Sequence, residues 1–412
     1  MKKRLIVLLL VVVISAMTFV GCDSGSANNN GRQSYNIKPT EIEVKEGVGQ
    51  VVSLCQDDVA AYVNAMKAIE VENDYCFNDQ AGAGVAVKDY WKQGTNVSGG
   101  NAVKLTWKAS AAPYTVKVWA NGTEEDATVY TAKSESLLLI NLYMATEYNW
   151  SVTDANGNER AVNGFTTADT VRTLFTGYVN NVRDLGGRMT SSGKRVKQGV
   201  IYRGAEMNLQ TYVDENSAKH YINLRSLELD ILNNGVKIKN ELDFRTSAET
   251  LGMTKSPLGD QVNYYSYPIS AYTGMFCKHS SNGADKPEMR EYYQNILRLL
   301  ATASEDNVCY FHCWGGADRT GTIGFLVNGL LGVSYTDLLI DFELTTFSNN
   351  YRYRQDDPAN YNYFNSMVTQ LIENYRLSPD ETISTVIERY MKQCLYLTDT
   401  DINNLKTNLL EA

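Results

Sequence analysis

A cysteine and an arginine stand six positions apart in the segment His312–Gly321, which reads His-Cys-Trp-Gly-Gly-Ala-Asp-Arg-Thr-Gly. The paired glycines Gly315 and Gly316 allow the backbone to curl around a ligand without Cβ clashes. Arg319 supplies a planar guanidinium that matches two oxygens of a phosphate group. A Cys313 thiolate aimed at a bound phosphate ester is a nucleophile for phosphoryl transfer. The segment therefore predicts a site for phosphate-ester chemistry.

The elements on either side of this segment must position it. Val308–Phe311 is short, apolar and rich in β-favouring residues, which predicts a buried strand. Thr322–Leu331 predicts a buried helix that ends at Gly332. A loop between a strand end and a helix start presents unpaired N–H groups and the positive end of the helix dipole, so an anion belongs there. The same field favours the thiolate of Cys313, because thiols at helix N-termini can have pKa values of roughly 3.5–7.5.

The other residues of the segment have supporting roles in this interpretation. The residues expected to bind phosphate are Trp314, Gly315, Gly316, Ala317 and Thr320. Thr320 offers a hydroxyl that either holds the thiolate or begins the helix. His312 points away from its neighbour on a strand, so we expect it to bond backbone carbonyls rather than act as a base. The alternative for Cys313 is a buried structural thiol before a glycine turn.

Five ordered matches then identify a family resemblance over Val179–Leu410. The segment His312–Gly321 resembles the signature loop of cysteine-dependent protein tyrosine and dual-specificity phosphatases, and it is most similar to the bacterial and fungal tyrosine/serine branch. The other matches to that branch are Asn181–Gly187, Gln198–Gly204, Leu242–Thr246 and Ile340–Thr345.

The resemblance implies an α/β cysteine-phosphatase domain over residues 171–412, with a mostly parallel central sheet flanked by helices. It implies that Cys313 and Arg319 are catalytic, that phosphocysteine is the intermediate, and that neither a cofactor nor a metal is needed. The chain departs from the family at Ala317, where the family has a lysine that is linked to highly anionic substrates such as phosphoinositides. We therefore expect phosphotyrosine as the main substrate, with phosphoserine, phosphothreonine or phosphoinositide as further possibilities.

Two carboxyl groups compete for the role of general acid, which must lie within hydrogen-bond reach of the leaving oxygen. Asp318 lies inside the loop, and its position is the one that the resembled branch uses, so we favour it. Asp285 lies 28 residues before Cys313, in a polar stretch, at the spacing where other tyrosine phosphatases carry their acid.

Four further charged residues are candidates for substrate or loop support. Asp243 and Arg245 follow an apolar strand and either face the same pocket or form a buried ion pair. Arg183 and Asp184 lie in the second family motif, and we expect them to pair with each other and brace the loop.

The N-terminus predicts export. Met1–Arg4 is basic and Leu5–Ile14 is apolar, as in a secretory signal peptide. Cys22 follows a glycine in a lipobox-like context, so we expect residues 1–21 to be removed and Cys22 to carry a lipid anchor to the membrane. An ordinary secretory peptide is the alternative. Residues 22–40 are rich in Ser, Asn and Gly and predict a flexible tether.

Two regions separate the tether from the phosphatase-like domain. Residues 41–95 predict a small helical or mixed region, in which Val59, Tyr62, Val63, Met66 and Ile69 line one helix face. Residues 96–170 alternate with a period of two and predict an antiparallel β-sandwich that resembles a fibronectin type III module. We expect this module to be a rigid spacer, or else a binder of proteins or glycans.

Composition bears on the class of protein, on nucleic-acid binding and on disulfide pairing. The hydrophobic content of 43% with 21% charged residues is typical of a globular chain with a sizeable core, and the net charge of −9 argues against a nucleic-acid partner. Apart from Cys22 and Cys313, five cysteines remain, an odd number that prevents complete pairing, and we expect packed free thiols. They are Cys55, Cys76, Cys277, Cys309 and Cys394.

Two rival functions follow from the same residues. A sulfur or arsenate transferase uses a similar cysteine loop, although Arg319–Gly321 and Asn181–Gly187 argue against it. The other rival is a surface scaffold or adhesion protein that binds phosphorylated ligands without turnover. The presence of Cys313, Asp318 and Arg319 together argues against that rival.

Overall fold

The computed structural model describes residues 39–45, 49–69, 73–77, 84–91, 96–109, 111–213, 219–276, 284, 286–348 and 358–412. The predicted signal peptide, Cys22, most of the tether, Cys277 and Asp285 lie outside these residues. Within the described residues, no helix is both long and apolar enough to cross a membrane.

Two sheets form the N-terminal part of the structure. Their strands are β1 (Glu41–Lys45), β2 (Val51–Val52), β3 (Ala102–Thr106), β4 (Tyr114–Ala120), β5 (Thr128–Ala132), β6 (Ser136–Leu139), β7 (Glu147–Thr153) and β8 (Glu159–Thr167). The first sheet has the order β1-β3-β6 and the second β2-β8-β7-β4-β5. Their buried side chains share one core, in which the rings of Trp107 and Trp150 lie 6.0 Å apart.

The alternating strands predicted at Val103–Trp107, Tyr114–Val118 and Tyr148–Val152 coincide with β3, β4 and β7. The sheets are mixed, however, because β1 pairs parallel with β3 and β2 pairs parallel with β8. An immunoglobulin-like sandwich has antiparallel sheets. Within residues 96–170 the strands pair antiparallel, as predicted, and the parallel pairs come from β1 and β2, which precede that range. With these two edge strands the sheets are mixed, so a fibronectin type III sandwich is not what the pairing shows.

The helix predicted near residue 60 is α1 (Asp57–Lys67), and its apolar face packs into the core of the C-terminal part. Val59, Tyr62, Val63 and Met66 are buried, as the spacing predicted. Ile69 lies beyond the helix end and is 37% exposed, so its side chain is not part of that buried face.

A five-stranded sheet organises the C-terminal part. Its strands are β9 (Arg183–Asp184), β10 (Ile201–Gly204), β13 (Ile238–Asp243), β14 (Asn263–Ser266) and β15 (Val308–His312). The order is β14-β13-β15-β10-β9, with parallel pairing except at β9, which is antiparallel to β10. A separate antiparallel pair joins β11 (Leu209–Val213) to β12 (Lys219–Ile222). The prediction of a mostly parallel sheet is thus corrected to mixed sheets.

Helices surround the central sheet. They are α2 (Ser226–Asp230), α3 (Ser247–Thr250), α4 (Pro287–Leu300), α5 (Asp318–Leu330), α6 (Tyr335–Glu343), α7 (Pro358–Tyr375), α8 (Ile383–Gln393) and α9 (Asp399–Leu409). The predicted strand is β15 and the predicted buried helix is α5, which begins four residues earlier than expected, since the turn glycines end at Gly316. Gly332 has a positive φ of 86° just after α5, which fits its predicted role at the helix end.

Candidate active site

The loop of residues 313–317, which we call the 313–317 loop, connects the carboxyl end of β15 to the first turn of α5. Strand β15 lies between two parallel neighbours, β13 and β10, and α5 is buried over almost its whole length. In open α/β sheets, ligands bind outside the carboxyl ends of the strands. Cys313 lies at this edge and is only 3% exposed, while Trp314 is 48% exposed.

The backbone of the 313–317 loop turns at Gly316. Its φ is +67°, and a Cβ at this position would lie 2.2 Å from the carbonyl oxygen of Gly204. No side chain fits so close to a backbone atom, so Gly316 is required both for its φ and for the close approach of β10. Ala317 follows as the N-cap residue of α5 and is buried.

We expect Gly316→Ala to weaken anion binding because the added Cβ must push the loop out of position. Loss of one hydrogen bond to a charged group corresponds to about a tenfold rise in Kd for inorganic phosphate. Titration calorimetry with phosphate measures this. Gly193→Ala is the matched control, because Gly193 also has a positive φ, of +76°, but nothing lies within 4 Å of its added Cβ. Equal Kd values for the two variants would contradict the role given to Gly316.

Two of the family motifs, Asn181–Gly187 and Gln198–Gly204, brace the 313–317 loop through hydrogen bonds. Asn181 Nδ2 donates to the carbonyl oxygens of Gly315 at 3.0 Å and Gly316 at 3.3 Å. Arg203 Nη2 donates to the same Gly316 oxygen at 2.9 Å. These bonds fix the Gly315 and Gly316 carbonyl groups toward Asn181 and Arg203.

Arg183 and Asp184 do not pair with each other, so that prediction is wrong. Arg183 Nε donates to Asp341 Oδ1 at 2.8 Å and Arg183 Nη1 donates to Asn181 Oδ1 at 2.6 Å. Asp184 accepts from Arg172 Nη1 at 2.5 Å instead. The two side chains diverge because successive residues of the short strand β9 point to opposite faces of the sheet.

Asp341 of α6 is the centre of this bracing network. Arg203 Nη1 donates to its Oδ2, and Arg183 donates to its Oδ1. Burial alone would raise the pKa of Asp341, but the nearby guanidinium groups of Arg183, Arg203 and Arg188 hold it far below its ordinary value. The sequence shows Asp341 only as part of the motif Ile340–Thr345. Its pairing with Arg203 was not predicted, because the two residues lie 138 positions apart.

Glu249 orients Arg319. Arg319 Nη1 donates to Glu249 Oε2 at 2.8 Å and Nη2 donates to Oε1 at 2.7 Å, while Nη1 also donates to the carbonyl oxygen of Phe244 at 2.9 Å. The hydrogen bonds from Arg319 lower the pKa of Glu249 to about 2, so the pair stays ionised. Glu249 was missed, although Thr246 and Glu249 form a Thr-x-x-Glu capping box that the sequence displays.

The environment of Cys313 favours its thiolate. Burial raises the pKa of Cys313, but the charge of Arg319 and the nearby hydroxyl and backbone N–H of Thr320 outweigh it and lower that pKa. Cys309, four residues earlier on β15, accepts a hydrogen bond from Asn240 Nδ2 at 3.8 Å, but burial outweighs it and raises the pKa of Cys309 to about 12. Strand β15 therefore carries an inert thiol, and the loop that follows it carries one suited to nucleophilic attack.

We expect iodoacetamide to alkylate Cys313 near neutral pH and to leave Cys309 unmodified, because only thiolates react quickly. The alkylation rate of Cys313 should rise with pH and level off above its lowered pKa. Thr320→Val should move this rise to higher pH, because the thiolate loses a neighbouring hydroxyl that stabilises its charge. Peptide mass mapping at a series of pH values measures both effects, and preferential modification of Cys309 would contradict the account.

Asp318, the favoured general acid, is the first residue of α5 and lies beside Cys313, close enough to interact with it electrostatically. Its Oδ1 accepts a hydrogen bond from the Tyr272 hydroxyl at 2.6 Å. The competing acid, Asp285, lies outside the described residues. The structure thus brings Cys313, Asp318 and Arg319 together on one loop and helix turn.

Residues 176–411, more than half of the chain, match the model described as tyrosine phosphatase family. The chain belongs to the tyrosine phosphatase family. It is 26% identical over 182 residues to a Cupriavidus necator protein named as a candidate tyrosine-protein phosphatase. That alignment covers 40% of this chain and 59% of the relative.

A solved structure is also similar to part of this family domain. It is the core catalytic domain of the PP-IP phosphatase SIW14 from S. cerevisiae, in complex with citrate. The sequence identity is 16%, the TM-score is 0.24, and the match covers 44% of this chain and 93% of that one.

A buried charge network lies beneath the 313–317 loop of this tyrosine phosphatase domain. His312 Nδ1 lies 3.0 Å from the carbonyl oxygen of Cys313 and its Nε2 lies 2.9 Å from Glu241 Oε1. Burial alone would lower the pKa of His312, but the carboxylates of Asp243 and Glu241 outweigh burial and raise it. His312 thus holds a backbone carbonyl of the loop, as the sequence predicted.

Asp243 and Arg245 form a buried ion pair rather than lining an open pocket. Arg245 Nη2 donates to Asp243 Oδ2 at 2.6 Å, and its Nη1 donates to Glu206 Oε2 at 2.5 Å. Burial raises the pKa of Glu206 to about 7 despite the neighbouring guanidinium. Of the two alternatives that the sequence left open, the buried pair is the one found.

Glu241, Asp243 and His312 have ligand atoms within 4.8 Å of one another, a grouping that also suits a metal ion. Each of these side chains is hydrogen-bonded within the network, and Arg245 lies directly on Asp243. A guanidinium in contact with one carboxylate repels a cation at the same place. The ion-pair network accounts for this cluster without a metal.

The cysteines divide differently from what we expected. Cys55, Cys76, Cys309 and Cys313 are free thiols, which confirms the expectation for Cys55, Cys76 and Cys309. Cys394, however, is disulfide-bonded, and its partner lies outside the described residues. Of the expected free thiols, Cys394 is thus the exception.

Proposed function

We propose that this chain hydrolyses phosphate monoesters, with phosphotyrosine as the main substrate, through a phosphocysteine intermediate. The observation that carries the proposal is the pairing of a thiol of lowered pKa with an oriented guanidinium. Cys313 directly follows a buried strand, and Arg319 lies in the first turn of the next helix, α5. Glu249 of α3 holds Arg319 in place. Family membership supports the same reaction class.

The reaction has two steps. The Cys313 sulfur attacks phosphorus in line with the leaving oxygen, the P–O bond breaks, and Asp318 donates a proton to that oxygen. Water then attacks phosphorus, the P–S bond breaks, and inorganic phosphate leaves while Asp318 accepts the proton of the water. Arg319 and the loop amides stabilise the equatorial oxygens in both steps.

The proposed substrate class rests on Ala317 and Trp314. Ala317 brings no charge to the position of the family's lysine, and it is buried at the helix N-cap. Phosphotyrosine carries fewer phosphates than a phosphoinositide or an inositol polyphosphate, so it needs fewer cations. The half-exposed ring of Trp314 stands next to the nucleophile, where an aryl leaving group can contact it.

A substrate panel tests the proposal. Phosphate release should be fastest with p-nitrophenyl phosphate and phosphotyrosyl peptides, slower with phosphoseryl peptides, and slowest with inositol phosphates and phosphoinositides. Faster turnover of phosphoinositides than of phosphotyrosyl peptides would contradict the substrate assignment. Thiosulfate and arsenate serve as tests of the transferase rival. Binding of phosphotyrosyl peptides without any release would support the scaffold rival instead.

We also propose that the protein is exported and anchored to a membrane through a lipid on Cys22. The basic and apolar start of the chain, followed by Gly21 and Cys22, supports this. When the full chain is expressed in bacteria with radiolabelled palmitate, the label should appear on the wild type and be lost in Cys22→Ala. Cys55→Ala is the control, because Cys55 is a buried free thiol. Equal labelling of Cys22→Ala and the wild type would contradict the anchor.

A further inference from the structure

Tyr272 has an unusual backbone conformation next to the candidate acid. It begins the short 3₁₀ turn Tyr272–Met275, and its φ is +51°, in the left-handed region that bulky residues rarely adopt. Such conformations persist only where the surroundings impose them, and they are concentrated at functional sites. The side chain is buried, with 5% of it exposed.

Two hydrogen bonds attach Tyr272 to the first turn of α5. Its backbone N–H donates to Thr322 Oγ1 at 2.9 Å, and the Thr322 hydroxyl donates in turn to the carbonyl oxygen of Asp318 at 2.9 Å. The Tyr272 hydroxyl donates to Asp318 Oδ1 at 2.6 Å. Backbone and side chain of Tyr272 are therefore both fixed relative to Asp318.

Aromatic packing fixes the ring of Tyr272 as well. Tyr363 of α7 stacks on it with the ring planes 4° apart and the centroids 6.0 Å apart. Phe342 of α6 meets it edge-on, with the centroids 6.4 Å apart. Three separate parts of the chain thus converge to hold one hydroxyl on one carboxylate oxygen.

We propose that Tyr272 is a positioning residue that fixes the Asp318 carboxyl so that Oδ2 faces the leaving oxygen. This inference rests on the proposed function, and it deepens it by choosing Asp318 as the general acid. With Oδ1 occupied by a donor, the exchangeable proton of Asp318 is placed on Oδ2. Proton transfer to the leaving group then needs no rotation of the carboxyl, and such pre-organisation is where much of the catalytic gain lies.

The same hydrogen bond sets the pH range of the acid. A hydroxyl that donates to a carboxylate favours the ionised form and so lowers its pKa. Among the described residues, Cys313 after β15 interacts electrostatically with Asp318 and Arg319 adjoins it in α5, and both stay in place when Tyr272 becomes phenylalanine. Because the general acid must be protonated, activity falls as pH rises through its pKa. Loss of the Tyr272 hydroxyl should therefore move this fall to higher pH.

The test compares Tyr272→Phe with the wild type on two phosphate esters. General acid catalysis raises reaction rates by roughly 10²–10⁴-fold. We expect the loss of Asp318 orientation to lower kcat on an alkyl phosphate about tenfold. On p-nitrophenyl phosphate, whose leaving group needs little protonation, kcat should change by less than about twofold. The basic limb of the kcat/KM profile should shift to higher pH.

Controls separate this role from a merely structural one. Tyr292→Phe removes a tyrosine hydroxyl that donates to Glu288 Oε1 at 3.0 Å within α4, and it should match the wild type on both esters. In an Asp318→Asn background, Tyr272→Phe should have no further effect on the alkyl phosphate, since the group that it positions is gone. Equal losses in the two backgrounds, or equal losses on the two esters, would overturn the inference. A Cys313→Ser variant that retained turnover would instead overturn the proposed function.

Discussion

Cys313→Ser should lose at least about 10⁴-fold in kcat on p-nitrophenyl phosphate, as is typical when a catalytic nucleophile is removed. The hydroxyl of serine is far less acidic than a thiol, and the Arg319 charge and the nearby Thr320 groups that lower the pKa of Cys313 cannot ionise it. Steady-state kinetics measure the loss. Far-ultraviolet circular dichroism checks that the fold is unchanged.

Cys309→Ser is the matched control for this experiment. It makes the same change four residues away on β15, at a buried thiol whose pKa burial raises to about 12. We expect kcat within about threefold of the wild type, because this thiol does not ionise near neutral pH. Comparable losses in the two variants would mean that the loss is not specific to Cys313 and would contradict its role as the nucleophile.

Arg319→Lys should have the second largest effect, about 10³-fold in kcat/KM, a size typical for the loss of an arginine that stabilises a phosphoryl-transfer transition state. Lysine keeps the positive charge but cannot donate two parallel hydrogen bonds. It also loses the bidentate contact to Glu249 that sets the orientation of the side chain. Comparison of kcat/KM for the aryl phosphate with Kd for inorganic phosphate separates transition-state loss from ground-state loss.

Arg298→Lys is the corresponding surface control. Arg298 forms a similar two-bond pair with Asp401, at 3.0 Å and 3.1 Å, between α4 and α9. The Arg298 side chain is 44% exposed, and such pairs contribute little to stability. We expect no change in kinetics. Glu249→Gln should lower kcat/KM by less than Arg319→Lys but more than Arg298→Lys, because Arg319 stays but loses its charged partner. An Arg319→Lys variant with nearly wild-type kinetics would contradict the role of the guanidinium.

The strand, the 313–317 loop and α5 were predictable because the relevant signals are local. An apolar β-rich run, paired glycines and a buried helix stand next to one another in the sequence. The buried Asp243–Arg245 pair was one of two alternatives, since both residues come from the end of a single strand. The same local reasoning identified the buried face of α1.

The predictions that were wrong or missing concern pairing between residues that lie far apart in the chain. Arg183 was expected to bond its neighbour Asp184, but a two-residue strand sends the two side chains in opposite directions, and Asp341 is the partner. Likewise β1 and β2 join sheets whose other strands begin at Ala102, so the parallel edges could not be deduced from alternation alone. Tyr272 shows no motif, since its position follows from backbone strain and tertiary contacts.

Glu249 is a different kind of miss, since its signal was present in the sequence. The Thr246–Glu249 capping box predicts a helix start, and that helix start follows β13 at the same sheet edge as Cys313. Arg319 follows the neighbouring parallel strand, β15, at the same edge. Glu249 could therefore have been predicted as the partner of Arg319. The capping role hid the second role, because one Glu249 oxygen serves both Thr246 and Arg319.

The most direct test is to trap the covalent intermediate. The enzyme is mixed rapidly with p-nitrophenyl phosphate, quenched in acid, digested and mapped by mass spectrometry. The account predicts one phosphoryl group on the sulfur of Cys313, with Cys309 unmodified and no adduct in Cys313→Ser. Continued turnover without any phosphoryl group on Cys313, or an adduct on another residue, would contradict it.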